Sequence, residues 1–313
     1  MWRAALLCTL IAAIAAALAD VSDDHPPRQV LRTRLHDHDN NDDDALLSLL
    51  HNRQMSIART AKWKGVHQDT LIKSKSAATP VLPHGKVLQT DMVIQPVYWG
   101  TKWASTQFAQ RKAVLIRDLY TGILASDYFK VMDQYLFGQT PSIKVLPDMY
   151  QSSAAPTKKQ DASYAFYRKF ICDTIIPELG SLPSGKTINN MYFVLNVDTG
   201  PYGDSCAYHT YNWCGTDKTK WFTYAVIFPY SSGCGTRLAV AGKTVEECSF
   251  VDSSTHELLE TMSDPTFDGW YRGSDEIIDR CEYNPDHLVT VNGQSFALEG
   301  IFSNAARKCL FSL

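Results

Sequence analysis

The opening nineteen residues set the conditions under which everything after them folds. Met1-Trp2-Arg3 supplies a positive start, Ala4 to Leu18 is an apolar run broken only by Thr9, and Ala17-Leu18-Ala19 precedes Asp20. A positive beginning, a short apolar stretch and a small-x-small site predict a secretory signal peptide cut after Ala19. As a helix the run would span about 22 Å, short of the roughly 30 Å hydrocarbon core of a bilayer, so it reads as a leader and not as a membrane anchor. No later stretch stays apolar for the ~18 residues a spanning helix needs. The expected location is secreted and extracellular, where thiols oxidise.

Of eight cysteines, Cys8 leaves with the leader, and Cys172, Cys206, Cys214, Cys234, Cys248, Cys281 and Cys309 remain. Most should pair, and the odd number leaves at least one free or intermolecular. The preferred pairs are Cys206–Cys214 and Cys281–Cys309, followed by Cys234–Cys248. Cys172, flanked by Phe170, Ile171, Ile175 and Ile176, is then a buried leftover thiol. Closing the Cys281–Cys309 loop would contribute roughly 3 kcal/mol by restricting the unfolded chain. No Asn-x-Ser/Thr sequon occurs, so N-glycosylation is not expected. A net charge of −3 gives no reason to expect a nucleic-acid partner.

Residues 20–78 read as a charged arm or pro-segment. Asp20 to Asp44 is rich in Asp, Arg and His with few apolar residues to bury, and Ala45 to Ala78 reverses the sign with Arg53, Arg59, Lys62, Lys64, Lys73 and Lys75. Residues 79–313 read as one globular domain. Val87 to Trp99 is a buried strand and turn, and Ala104 to Ala125 has helical spacing. Asp161 is a candidate N-cap for a helix through Phe166, Phe170 and Ile175 that stops at Pro177-Glu178-Leu179-Gly180. Met191 to Leu195, Phe222 to Phe228 and Ser295 to Phe302 read as strands. Helices and strands mix without regular alternation, which predicts an α+β domain with a mixed sheet, flanking helices and disulfide staples.

The stretch from Val251 to Asp279 carries the chemistry. With a helix starting at Ser254 and ending before Pro265, His256, Glu257, Glu260 and Asp264 share one arc and Leu258, Leu259 and Met262 the opposite one. A capping box over Ser254-Thr255-His256-Glu257 would explain Glu257 structurally. It explains Glu260 and Asp264 poorly, because carboxylates near a helix C-terminus oppose its dipole. The functional reading is a zincin-like helix with an HExxE pattern, in which His256 and Glu260 are metal ligands and Glu257 is the general base. Glu276, or Asp279 in its place, supplies a third ligand. One imidazole among carboxylates is a harder set than two, so zinc leads and calcium and manganese stay open. His209 is either a further ligand or acid, or a hydrogen-bonded structural residue, and the sequence gives it no partner. Trp99, Trp103, Trp213, Trp221 and Trp270 read as core. No nucleophile-elbow, P-loop or dinucleotide motif occurs.

His84-Gly85-Lys86-Val87-Leu88, Pro96-Val97-Tyr98-Trp99-Gly100 and Trp103 resemble the start of the EXORDIUM family, also called the phosphate-induced protein 1 family. The resemblance continues through Tyr192 to Leu195 and Cys206-Ala207-Tyr208-His209. It ends with Thr255-His256-Glu257-x-x-Glu260, Asp264-Pro265, Trp270, Glu276, Asp279, Cys281 and Phe302-Ser303-Asn304 before Cys309. It spans roughly residues 84–313, and the order and spacing of the motifs give it what specificity it has. It implies a secreted extracellular or cell-wall protein. The plant members are associated with growth responses, with no enzymatic activity generally assigned. The sequence is more similar to microbial relatives that carry a His-Glu helix followed by Asp-Pro, a pair that plant members typically lack. Two functions follow as expectations. One is a metal-dependent hydrolase of peptide-like substrates, and the alternative is a non-catalytic binding or signalling protein whose partner is an extracellular or cell-wall polymer or peptide.

Overall fold

Strands rich in β-branched and aromatic residues, apolar along nearly their whole length, form the centre of the molecule, as a sheet covered on both faces requires. The structure, a computed structural model, describes residues 80–85, 88–105, 107–156, 164–198, 206–229, 238, 240–282 and 286–313. The leader, the charged arm, Asp161 and Cys234 lie outside the described residues.

In chain order, β1 (Leu82–Pro83) is followed by β2 (Asp91–Trp99), α1 (Thr101–Ser105) and α2 (Gln107–Gly122). Next come β3 (Ser142–Val145), β4 (Met149–Gln151), α3 (Tyr164–Phe170), α4 (Ile176–Leu179), β5 (Met191–Val197), β6 (Ala207–Trp213) and β7 (Trp221–Ile227). The long helix α5 (Val245–Ser263) precedes a set of short strands: β8 (Trp270–Arg272), β9 (Asp275–Glu276), β10 (His287–Val291), β11 (Gln294–Leu298), β12 (Ile301–Ser303) and β13 (Lys308–Leu310). The main sheet runs β3-β2-β5-β7-β6, with β4 also pairing β2. All its pairings are parallel except the last, where β6 lies antiparallel to β7 and forms the edge.

Side-chain alternation along these strands divides the core in two. Met92, Ile94, Tyr98, Tyr192, Val194, Ala225 and Ile227 face α2 and α5. Val93, Val97, Trp99, Phe193, Leu195, Tyr224 and Val226 face Tyr167, Ile171 and Ile175 of the α3 segment. The domain is α+β, a mixed sheet with helices on both faces. Among the described residues no helix is long and apolar enough to cross a membrane.

Two local expectations are revised. Between α3 and α4 the chain makes a π-turn over Ile171–Ile175, and Gly180 ends the segment at φ 65°. The predicted strand Ser295 to Phe302 is two strands, β11 and β12, broken at Glu299-Gly300. Gly300 packs tightly, since an added Cβ would stand 3.0 Å from Cβ of Cys309 and push it aside. The break turns Glu299 toward α5.

The cysteine pairing is revised too. Cys281–Cys309 is bonded, and Cys214 is bonded to Cys172, not to Cys206. Cys206 is also in a disulfide, and the free cysteine is the buried Cys248, so the Cys234–Cys248 pair does not form. Sequence proximity favours Cys206–Cys214, but β6 runs extended between them and carries its two ends apart. The π-turn instead delivers Cys172 to the end of β6. Each of the two described bonds would contribute about 3–4 kcal/mol on chain-entropy grounds.

Candidate metal centre

The helix that carries the site begins earlier than its polar Ser-Thr sequence suggests. Its N-cap is Thr244, where a capping box closes: the Glu247 amide donates to Thr244 Oγ1 at 3.1 Å and the Thr244 amide to Glu247 Oε2 at 2.8 Å. Arg111 of α2 pairs with the same Glu247 at 3.0 Å and anchors the helix start. Ser254 and Thr255, the expected cap, are mid-helix, and their hydroxyls donate back to Phe250 O and Val251 O at 2.8 Å each. Glu257 therefore has no capping duty. The helix stops at Asp264, and there Gly269 is packed so closely that an added Cβ would lie 2.0 Å from Ser263 O. The Gly269 amide donates to Asp264 Oδ1 at 2.6 Å.

The acidic face of α5 points into the molecule. Glu257, Glu260 and Asp264 are 4%, 2% and 0% exposed, so these are not solvated surface charges. His256 Nε2 stands 3.2 Å from Glu260 Oε2 and 3.4 Å from Asp279 Oδ1. On its other side Nδ1 is 2.9 Å from Glu299 Oε2. Asp279, in the turn beyond β9, is held by its own amide, which donates to Glu260 Oε1 at 3.2 Å, and by the Glu276 amide, which donates to Asp279 Oδ2 at 3.3 Å. His256, Glu260 and Asp279 thus present one ligand atom each to a common point. Glu276, the first choice for a third ligand, faces elsewhere, with its Oε1 3.7 Å from Nε2 of His209.

His209 has no partner near it in sequence, and the fold brings it three. It projects from the edge strand β6 onto α5, with Nδ1 3.2 Å from Glu257 Oε2 and 3.8 Å from Glu260 Oε2. His209, Glu257 and Glu260 form a second group able to hold an ion. The ring of Phe267 covers His209 at 5.3 Å between centroids, and Phe267 takes φ 60° to do so, a conformation that costs a bulky residue about 1–3 kcal/mol. A third group, Asp252, Asp286 and Glu299, adjoins the first: Asp252 lies one turn before His256, and its Oδ1 accepts the Glu299 amide at 2.8 Å. Asp252 and Glu299 were missed by sequence reasoning, and of the two only Asp252 carried a signal, its i−4 spacing from His256.

Buried carboxylates this close together perturb one another. Burial, followed by the charge of Asp279, pushes Glu260 up to about 7. Burial and the charges of Glu260, Asp264 and Asp279 hold Glu276 well above the usual carboxylate range, and it hydrogen-bonds Asp264. Burial, Glu299 and Asp286 do the same to Asp252. Burial alone would lower both imidazoles. For His256 it is outweighed by Glu260, Asp279 and Glu299, and for His209 by Glu257, Glu260 and Asp264, so both are raised. The leading charges bearing on Glu260, Glu276 and Asp252 are other carboxylates and His256. The donor set of imidazole and carboxylate suits a borderline or hard divalent ion. No protein-family model matches the chain, and no curated protein does.

Proposed function

We propose that this is a secreted, EXORDIUM-like extracellular protein in which His256, Glu260 and Asp279 hold a divalent cation, and that it hydrolyses peptide-like substrates. The observation that carries the reading is the convergence of His256 Nε2, Glu260 and Asp279, with Glu257 one residue along the same buried helix face. Zinc is the first candidate, with manganese and calcium next. Disulfides and the predicted leader support an extracellular location.

When bound, such an ion supplies Lewis acidity toward a carbonyl oxygen and toward water. The chain's own residues supply orientation and proton transfer. Glu299 holds the His256 ring through Nδ1, leaving Nε2 as the nitrogen that would bind the ion. His209 fixes the Glu257 carboxylate, which takes up the proton of the attacking water as general base. The same proton then passes to the departing amine as the C–N bond breaks, leaving a carboxylic acid and a free amine.

A second reading rests on burial. The Glu257 side chain is only 5% exposed, and Phe267 lies over its partner His209. On that reading the ion is structural and the protein binds an extracellular or cell-wall polymer or peptide without turning it over.

Elemental analysis of the mature protein before and after chelation, paired with cleavage of denatured casein by the protein and by Glu257→Gln, decides between them. Hydrolysis predicts metal in both proteins and a loss of cleavage of about 10²-fold or more in the variant. Metal with no cleavage by either supports the structural ion. Metal-free protein that gains no thermal stability from zinc, manganese or calcium overturns both.

A further inference from the structure

We propose that the chain holds a second divalent cation between His209 Nε2 and Glu276 Oε1, beside the site at His256. The proposal deepens the reading that the acidic face of α5 binds metal.

The two atoms are buried and face each other. The side chains of His209 and Glu276 are 3% and 11% exposed, and the atoms stand 3.7 Å apart. Neither has a hydrogen-bond partner among the described residues. Buried polar atoms in folded proteins are paired in the great majority of cases, and an unpaired one costs about 1–3 kcal/mol. Two complementary atoms that approach this closely without bonding leave a gap with a definite size. A bridging water about 2.8 Å from each would be squeezed to an angle of ~80° between its partners. An ion about 2.1 Å from each subtends ~120°, within the range of a four- or five-coordinate zinc-like centre.

The other ring nitrogen is arranged as a metal-bound histidine requires. A ligating imidazole donates its second N–H to a carboxylate or carbonyl, which fixes the tautomer. Nδ1 of His209 has Glu257 Oε2 at 3.2 Å, just as Nδ1 of His256 has Glu299 Oε2 at 2.9 Å. Both imidazoles therefore turn Nδ1 to a buried acid and Nε2 to the acids from the β9 turn, Glu276 for one and Asp279 for the other. Asp264, hydrogen-bonded to Glu276 and held by the Gly269 amide, is the next oxygen donor. Glu257 keeps its role as base, because its contact is with Nδ1.

The test is a count. Mature protein is stripped with chelator, titrated with Zn(II), and the ion bound after gel filtration is measured. The expected result is two equivalents for the native chain and one for Glu276→Gln, an isosteric change that keeps a hydrogen bond to Asp264. His209→Gln, with folding checked by circular dichroism, gives one equivalent as well. His256→Gln keeps one, held by the second site. One equivalent in the native chain overturns this proposal and leaves the single-ion reading intact, while none overturns both. Two equivalents that survive Glu276→Gln and His209→Gln also overturn it.

Discussion

Nδ1 of His256 lies 2.9 Å from Glu299 Oε2, while Nε2 of the same ring faces Glu260 and Asp279. Glu299 is in turn fixed by its amide, which donates to Asp252, so the ring is oriented by a chain of contacts that begins one turn earlier on the same helix. Replacing an outer carboxylate of this kind weakens metal binding by about 10–100-fold. Glu299→Gln keeps an acceptor but loses the charge, so the expected loss is about tenfold, at the lower end. Calorimetric titration with Zn(II) measures it, and an unchanged affinity would show that Glu299 does not orient the ring.

Stability of the chelated protein should fall as pH rises. Glu260 is pushed up to about 7 by burial and Asp279, and Glu276, Asp252, His256 and His209 are all raised. A group whose folded pKa lies above its unfolded value stabilises the fold fully below the unfolded value. That contribution disappears as pH passes the folded value. For Glu260 the window runs from its ordinary 4.5 to about 7. Metal-free protein should therefore melt several degrees higher at pH 5 than at pH 8, where 1 kcal/mol is worth about 2–4 °C at this chain length. A bound ion should flatten the dependence, because it replaces the protons. A metal-free melting temperature that rises over this range would contradict the arrangement of buried acids.

The first turn of α5 hangs on Thr244. Thr244→Ala removes the hydroxyl that accepts the Glu247 amide and should cost about 1 kcal/mol. Denaturant titration gives the energy, and faster amide exchange confined to the first turn would place it. A fully retained stability would mean that Arg111 alone secures the helix start.

Peptide mapping without reduction should recover Cys172 joined to Cys214 and Cys281 joined to Cys309, with Cys206 in a bond that does not involve Cys214. Cys248, 2% exposed, should react with alkylating reagent only after denaturation. Rapid labelling of Cys248 in the native protein would refute its burial.

What the sequence disclosed followed from periodicity. The apolar runs around Val97, Val194 and Ala225 are strands, the 3.6-residue pattern through Ile116 and Leu119 is α2, and Pro177-Glu178-Leu179-Gly180 closes a helical segment. The start of α5 was misplaced because Ser254-Thr255 resembles a cap. The competing signal, Thr244 followed three residues later by Glu247, was equally present in the chain, and burial of Ser254 and Thr255 decided between them. The His-Glu helix was visible as a pattern, with Glu260 and Asp279 as candidate partners of its imidazole, whereas Glu299 behind the ring was not. His209, Glu276 and Glu299 come from an edge strand, a β-turn segment and a strand break, and only the tertiary fold brings them to α5. Disulfide partners depend on the same non-local information, so proximity in sequence misled for Cys206 and Cys214.

The bond between Cys281 and Cys309 has a consequence for where the acidic cluster is able to exist in its finished form. Asp279 and Cys281 share a single turn, and Glu276 lies only a few residues upstream, so the segment supplying two acids to the cluster is moored to β13 by one sulfur–sulfur link. In a reducing compartment that mooring is cut, and these acids regain freedom that the helix alone cannot restrain. Oxidation then acts as a latch, and ion capture would be confined to surroundings where the latch is shut.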